Sequence, residues 1–226
     1  MVFPITNWAT ISKATLNGGD EERTAMGAFI DRYWKPVSVV IQSKGVPFGR
    51  VEDLTQDFFV KLIEDDFVSR ATQEKGRFRS FLLKALRDFL VDDMRKFMAQ
   101  KRGGSFERVE LRDDSAVLRD DQLLFDKTWA KTLFDAAIEK TAKEIIEKKG
   151  EEKWQATRYF LSGEGKELSY VELGQILGVS ENAAKTHVSR LRSRLRENLR
   201  EQISLTVGAP HEVDEELAFL REVMMH

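Results

Sequence analysis

The chain has 226 residues, a formal net charge of −2 and no cysteine, so it can bury a core without covalent staples, and disulfides, thiolate zinc sites and thiol catalysis are excluded. No apolar run reaches membrane-spanning length and the start "MVFPITNWATISK" lacks the basic and apolar pattern of a signal peptide, so a cytoplasmic protein with no membrane partner is expected. The near-neutral total hides two basic blocks, one between Lys75 and Arg102 and one between Lys185 and Arg200, separated by the acidic stretch "SFERVELRDDSAVLRDDQ". Two such blocks suggest two modules that face a polyanion.

Along the chain no alternating strand pattern of convincing length occurs, and the expectation is an all-α protein of two helical domains joined by an acidic linker. Residues 6–102 read as several helices broken near "LNGGDEE", "KGVPFGR" and "SRATQEKGR". In "VEDLTQDFFVKLIED", Leu54, Phe58, Leu62 and Ile63 are expected to face inward, while Asp53, Gln56, Asp57, Val60 and Glu64 line the outer face. An acidic face with an exposed valine suits protein docking, although by itself a solvated helix face explains it too. In "GRFRSFLLKALRDFLVDDMRKFMAQKR", Phe78, Phe81, Leu82, Ala85 and Phe89 form the expected buried face. Ser80, Lys84, Arg87, Val91 and Arg95 fall on another stripe, whose cations beside aromatics would suit a single nucleic-acid strand. The phenylalanines read equally as plain core. Gly103 and Gly104 open the linker, 103–121, and a second helical module spans 122–202 with breaks at "KKGEEK" and "LSGEGKEL".

The second half of that module reads as a helix-turn-helix. Leu168, Leu173, Ile176 and Leu177 make one apolar face of a helix starting near Ser169, with Gly174 in its middle at a cost of about 1 kcal/mol relative to alanine. A close crossing by a second helix would explain that glycine. Gly178 ends the helix where the turn needs a positive φ, Val179 plugs the corner, and Ser180 caps the next helix with Glu181 in its first turn. There Ala184, Val188, Leu191 and Leu195 form a narrow buried stripe. The opposite face carries Asn182, Lys185, Thr186, Ser189, Arg190, Ser193 and Arg196, short polar groups that can bond base edges mixed with cations that can hold phosphates. His187 lies on the flank, near enough to approach a phosphate or to remain solvated, and no second histidine or cysteine nearby offers a metal site.

In the tail, 203–226, Leu217, Leu220 and Val223 form an apolar stripe among Glu212, Asp214, Glu215, Glu216 and Glu222. A helix this short must dock on something. The expected support is the side of its own C-terminal domain; the alternative is that its acidic face masks Arg190, Arg194 or Arg196. Asp92 and Asp93 raise a nuclease reading, but adjacent residues on a helix point different ways, and no enzyme and no cofactor is expected. A stand-alone helix-turn-helix regulator is the remaining alternative.

Three blocks in this order, "DLTQDFFVKLIE", "GRFRSFLLKALRDFLVDDMRK" and "LSYVELGQILGVSENAAKTHVSRLRSRLRE", resemble the extracytoplasmic-function sigma factors of bacterial RNA polymerase. "YWKPV", "TQDFF" and "EKGRFRSFLL" are closest to a subgroup with a C-terminal extension. The resemblance implies a sigma factor that binds core RNA polymerase and directs promoter-specific initiation. Asp53, Gln56 and Asp57 would contact the polymerase clamp. Arg79, Lys84, Arg87, Arg95 and Lys96 would meet the minus-ten region, with Asp88 beside a flipped base held by "DDFVSRATQEKG". Asn182, Lys185, Thr186, Ser189 and Arg190 would meet the minus-thirty-five element. The acidic linker would thread toward the active-site channel, and an anti-sigma protein is a possible further partner. Three positions depart from the family pattern: Phe81 stands where tryptophan is usual, Asp88 where asparagine is common and His187 where arginine is common. A carboxylate at 88 can only accept hydrogen bonds.

Overall fold

A computed structural model describes residues 20–65, 78–101, 115–162, 168–207 and 210–225. Every regular element among them is a helix: α1 Asp20–Ser43, α2 Phe48–Glu64, α3 Phe78–Lys101, α4 Ser115–Lys149, α5 Glu151–Thr157, α6 Tyr159–Ser162, α7 Tyr170–Leu177, α8 Glu181–Ser204 and α9 Glu212–Met225. The chain is all-α. It divides into two compact units, one of residues 1–132 with 204–226 and one of residues 133–203.

In the first unit Phe29, Tyr33, Val37 and Ile41 recur every fourth residue and are all buried, the pattern of a helix with one face in a core. Against them α2 buries Leu54, Phe58, Phe59 and Leu62, and α3 buries Leu82, Leu83 and Leu86. Phe59 stacks on Trp34 at 5.8 Å, and Phe58 meets Phe89 at 5.5 Å. Ile63, expected inside, is exposed, because the inward arc of α2 runs through Thr55 and Phe59 instead. The Thr55 hydroxyl can be buried there because it donates to the Val51 carbonyl at 2.6 Å. Phe81, Ala85 and Phe89 are only half-buried, since the fully buried line of α3 lies along Leu82, Leu83 and Leu86.

Two expectations about organisation change. Residues 115–121, read as the end of the acidic linker, are the first turns of α4, and Asp121 is buried with both carboxylate oxygens accepting from Lys44 Nζ at 2.6 and 2.7 Å. Paired in this way a carboxylate can leave solvent, so Asp121 is not part of an exposed connector. The stretch 102–114 lies outside the described residues. The tail helix α9 belongs to the first unit, not to the C-terminal domain expected to support it. Its buried seam is Val213, Glu216, Leu220 and Val223, with Leu217 half-buried. A carboxylate in an apolar seam requires a cation, and Arg79 at the start of α3 supplies it.

In the second unit α4 contributes Leu133, Ala137 and Thr141, and α8 contributes Val188, Leu191, Leu195 and Asn198. The Asn198 amide donates to the Thr141 hydroxyl at 3.0 Å, and that hydroxyl donates to the Ala137 carbonyl at 2.7 Å, so these buried polar groups are matched. Arg194 grips Glu144 through Nε at 2.5 Å and Nη2 at 2.7 Å. These bonds hold the Glu144 carboxyl below the usual carboxylate range.

Candidate nucleic-acid interface

The corner between α7 and α8 is built from short-range contacts. Ser169 Oγ accepts from the Glu172 N–H at 3.2 Å while the Glu172 carboxylate accepts from the Ser169 N–H at 2.8 Å, a reciprocal cap at the start of α7. Gly178 has φ +65°, the left-handed conformation that ends a helix with least strain when the residue is glycine. The Val179 N–H then donates to the Gly174 carbonyl at 2.9 Å. A Cβ on Gly174 would stand 2.8 Å from the Val179 carbonyl oxygen. The close neighbours are thus backbone atoms of the corner and of Glu181, the first residue of α8, whose N is 3.5 Å away, and no side chain can move to make room. Ser180 Oγ accepts from the Ala183 N–H at 3.3 Å and starts α8 as expected. Leu173, Ala184 and Val188 pack together with Leu177 and Val179 partly buried on them. Ile176, expected on this apolar face, is 58% exposed, because the inward side of α7 is taken by Leu173 and Leu177.

The buried stripe of α8 turns its other face to solvent, and Asn182, Lys185, Thr186, Ser189 and Arg190 are all exposed there. Lys185 lies 2.6 Å from Glu181, and the Thr186 hydroxyl donates to the Asn182 carbonyl at 3.0 Å. The arginines of the segment divide in a way their spacing conceals. Arg192 Nε donates to the Phe160 carbonyl at 3.2 Å, and Arg194 is held by Glu144 and Glu197. Arg190 and Arg196 are exposed. Among these four arginines, Arg190 and Arg196 present charge to a ligand without giving up a hydrogen bond to the described residues.

On α3 the expected nucleic-acid residues also divide. Lys84, Asp88, Arg95 and Lys96 are exposed. Arg95 lies 3.6 Å from Asp92, a loose pair within one helix. Arg87 is half-buried with Nε 3.5 Å from Asp121, so part of its charge is directed into the protein. Arg79 is a correction: it is 3% exposed and cannot present its charge to DNA in this conformation. Its guanidinium lies 3.8 Å from the Phe219 ring centroid and 4.8 Å from that of Trp129. Nε is 3.0 Å from Asp126, and both oxygens of Glu216 accept from Nη1, one at 2.6 Å.

Asp53, Gln56 and Asp57 are exposed along one side of α2, with Val60 exposed beside them. The acids weighed as a nuclease site are ion-paired instead, Asp92 with Lys61 at 3.6 Å and Asp93 with Arg50 at 3.5 Å. Among the described residues no group of His, Asp and Glu is placed to hold a metal ion, and no helix is long and apolar enough to cross a membrane. The loop "DDFVSRATQEKG", expected to hold a flipped base, lies almost wholly outside the described residues.

Residues 51–201 match the ECF sigma factor family. No curated protein and no solved structure matches the chain. The matched span runs from α2 through α8 and leaves α9 outside it. Because it takes in the acidic helix, the basic helix and the whole helix-turn-helix, the chain belongs to the ECF sigma factor family, and it is a sigma factor directing transcription initiation.

Proposed function

We propose that the protein binds core RNA polymerase through Asp53, Gln56 and Asp57 of α2 and reads two promoter elements, in the cytoplasm. Asn182, Lys185, Thr186, Ser189 and Arg190 of α8 read the minus-thirty-five element as duplex. Lys84, Asp88, Arg95 and Lys96 of α3, with a smaller part for Arg87, meet the minus-ten element as it opens. The observation that carries this reading is the exposed face of α8, which combines base-bonding side chains with unengaged arginines behind a capped, glycine-cornered turn. Polymerase binding gates DNA binding: the exposed cationic faces are short and carry few phosphate contacts each, so the two sites act together only when polymerase holds both. An anti-sigma protein would compete for the same surfaces.

The test is to add the protein to core polymerase and map which promoters it opens. Free protein should bind promoter duplex weakly and holoenzyme specifically. The double variant Asp53→Ala with Asp57→Ala should lose polymerase capture while unfolding as the parent does, since exposed substitutions usually change stability by less than about 0.5 kcal/mol. Tight, sequence-specific binding by the lone protein would instead make it a stand-alone regulator.

A further inference from the structure

We propose that a basic cavity beside the reading helix is a binding site for a phosphate group, supplied either by the promoter backbone or by a free phosphorylated compound. The cavity lies wholly within the second unit and has a volume of about 250 Å³. One water needs only about 10–15 Å³ by a comparable measure, so a phosphate with its hydration fits. Three elements converge on it: the last turns of α4 bring Lys148 and Lys149, α5 brings Lys153, and α8 brings His187 and Arg190.

The charges around this cavity do not balance. Lys148, Lys149, Lys153 and Arg190 form no ion pair among the described residues. The carboxylate lining the cavity is Glu144, and Arg194, which lines it too, already engages both of its oxygens. Lys148 and Lys149 in the last turn of α4 have an ordinary role in offsetting the helix dipole. That role does not extend to Lys153 and Arg190, which arrive from other helices. Like charges gathered at one concave site repel each other, and a bound anion removes the repulsion.

His187 registers this environment. Burial, with Lys149, Arg190 and Lys153 around it, lowers its pKa below the usual histidine value, so the unliganded cavity favours the neutral imidazole. Neutral imidazole still offers one N–H donor, and a phosphate beside it would favour the charged form, which offers two. Arg190 belongs both to the cavity and to the exposed reading face, so the cavity borders the surface assigned to the upstream element. The backbone source therefore rests on the proposed promoter reading, whereas the free-compound source does not.

The experiment follows the imidazole signals of the full chain by NMR across pH, with His211 as an internal reference. Inorganic pyrophosphate is added in one arm and upstream-element duplex at low salt in the other. Binding in the cavity should raise the His187 pKa by about 1–3, saturably, with His211 unmoved. Lys149→Ala with Lys153→Ala, checked for retained helicity, should abolish the response. A response to pyrophosphate at micromolar concentration assigns a free phosphorylated compound; a response to duplex alone assigns the promoter backbone. In the latter case holoenzyme carrying the double variant should bind all upstream sequences more weakly by a similar factor, with a salt slope shallower by about 1–2. Duplex binding that is normal in the double variant, with His187 unmoved by either ligand, overturns the proposal and leaves the promoter reading intact. If holoenzyme ignores the upstream element altogether, the promoter reading fails and the pyrophosphate arm alone decides the cavity.

Discussion

Arg79 opens α3 and Arg190 sits in the middle of α8, the same cation in the two basic helices of the chain. Arg79 is enclosed by two carboxylates and two aromatic rings, while Arg190 stands in solvent on the rim of a cationic cavity. The difference shows what a cluster of charges along a helix means physically. A guanidinium in a core must have its full charge neutralised by fixed partners, and once neutralised it no longer attracts DNA. A guanidinium on a surface costs little to expose and keeps its field for a ligand. The basic character of α3 therefore overstates the charge it presents to solvent, and that of α8 is divided between holding Glu144 and presenting Arg190.

The largest effect is expected at Glu216, the carboxylate that holds Arg79. Glu216→Ala leaves Arg79 buried with Asp126 alone and should cost roughly 3–5 kcal/mol in denaturant unfolding, the usual penalty for removing one partner of a buried ion pair. Truncation after Val207 removes Glu216 and Phe219 together and should lower the unfolding temperature. Neither change should improve duplex binding through Arg190, because the Glu216 carboxylate is engaged by Arg79. Lys84→Ala, an exposed change on the same helix, should leave unfolding as it is. Unchanged stability of Glu216→Ala would mean that the enclosure of Arg79 opens in solution.

Arg190→Ala should show the opposite pattern, with stability kept and holoenzyme binding lost. A contact to a base edge predicts a loss of about 1–3 kcal/mol confined to particular upstream bases. A contact to phosphate predicts a uniform loss and a shallower salt dependence. Unchanged binding to every upstream variant would remove Arg190 from the interface.

The smallest effect is on pH dependence. The native state prefers His187 neutral, so between its lowered native pKa and the unfolded value of about 6.5 the unfolded chain binds more protons. Stability should therefore fall as pH drops through that window. His187→Asn should flatten this part of the profile when unfolding is measured in phosphate-free buffer. At lower pH the Glu144 carboxyl, depressed by Arg194, adds a second loss as it protonates. Glu144→Gln should remove only this second part.

Much of the second unit is legible in the amino-acid order because its constraints are local. The Ser180 cap, the left-handed Gly178 and the Ala184, Val188, Leu191 and Leu195 stripe each follow from spacing within one or two turns. Backbone geometry over so short a range depends on the residues themselves. The split among the arginines of α8 is not legible, since Arg192 and Arg194 find partners 32 and 50 residues away. The same holds for Asp121, which meets Lys44 across 77 residues, and for Glu216, which meets Arg79 across 137. Helical periodicity alone indicated an all-α chain and the buried stripe of α8, but not the inward arcs of α2, α3 and α7. Which charged faces remain in water was decided only when distant segments met, because burying a charge depends on a partner that local sequence does not name.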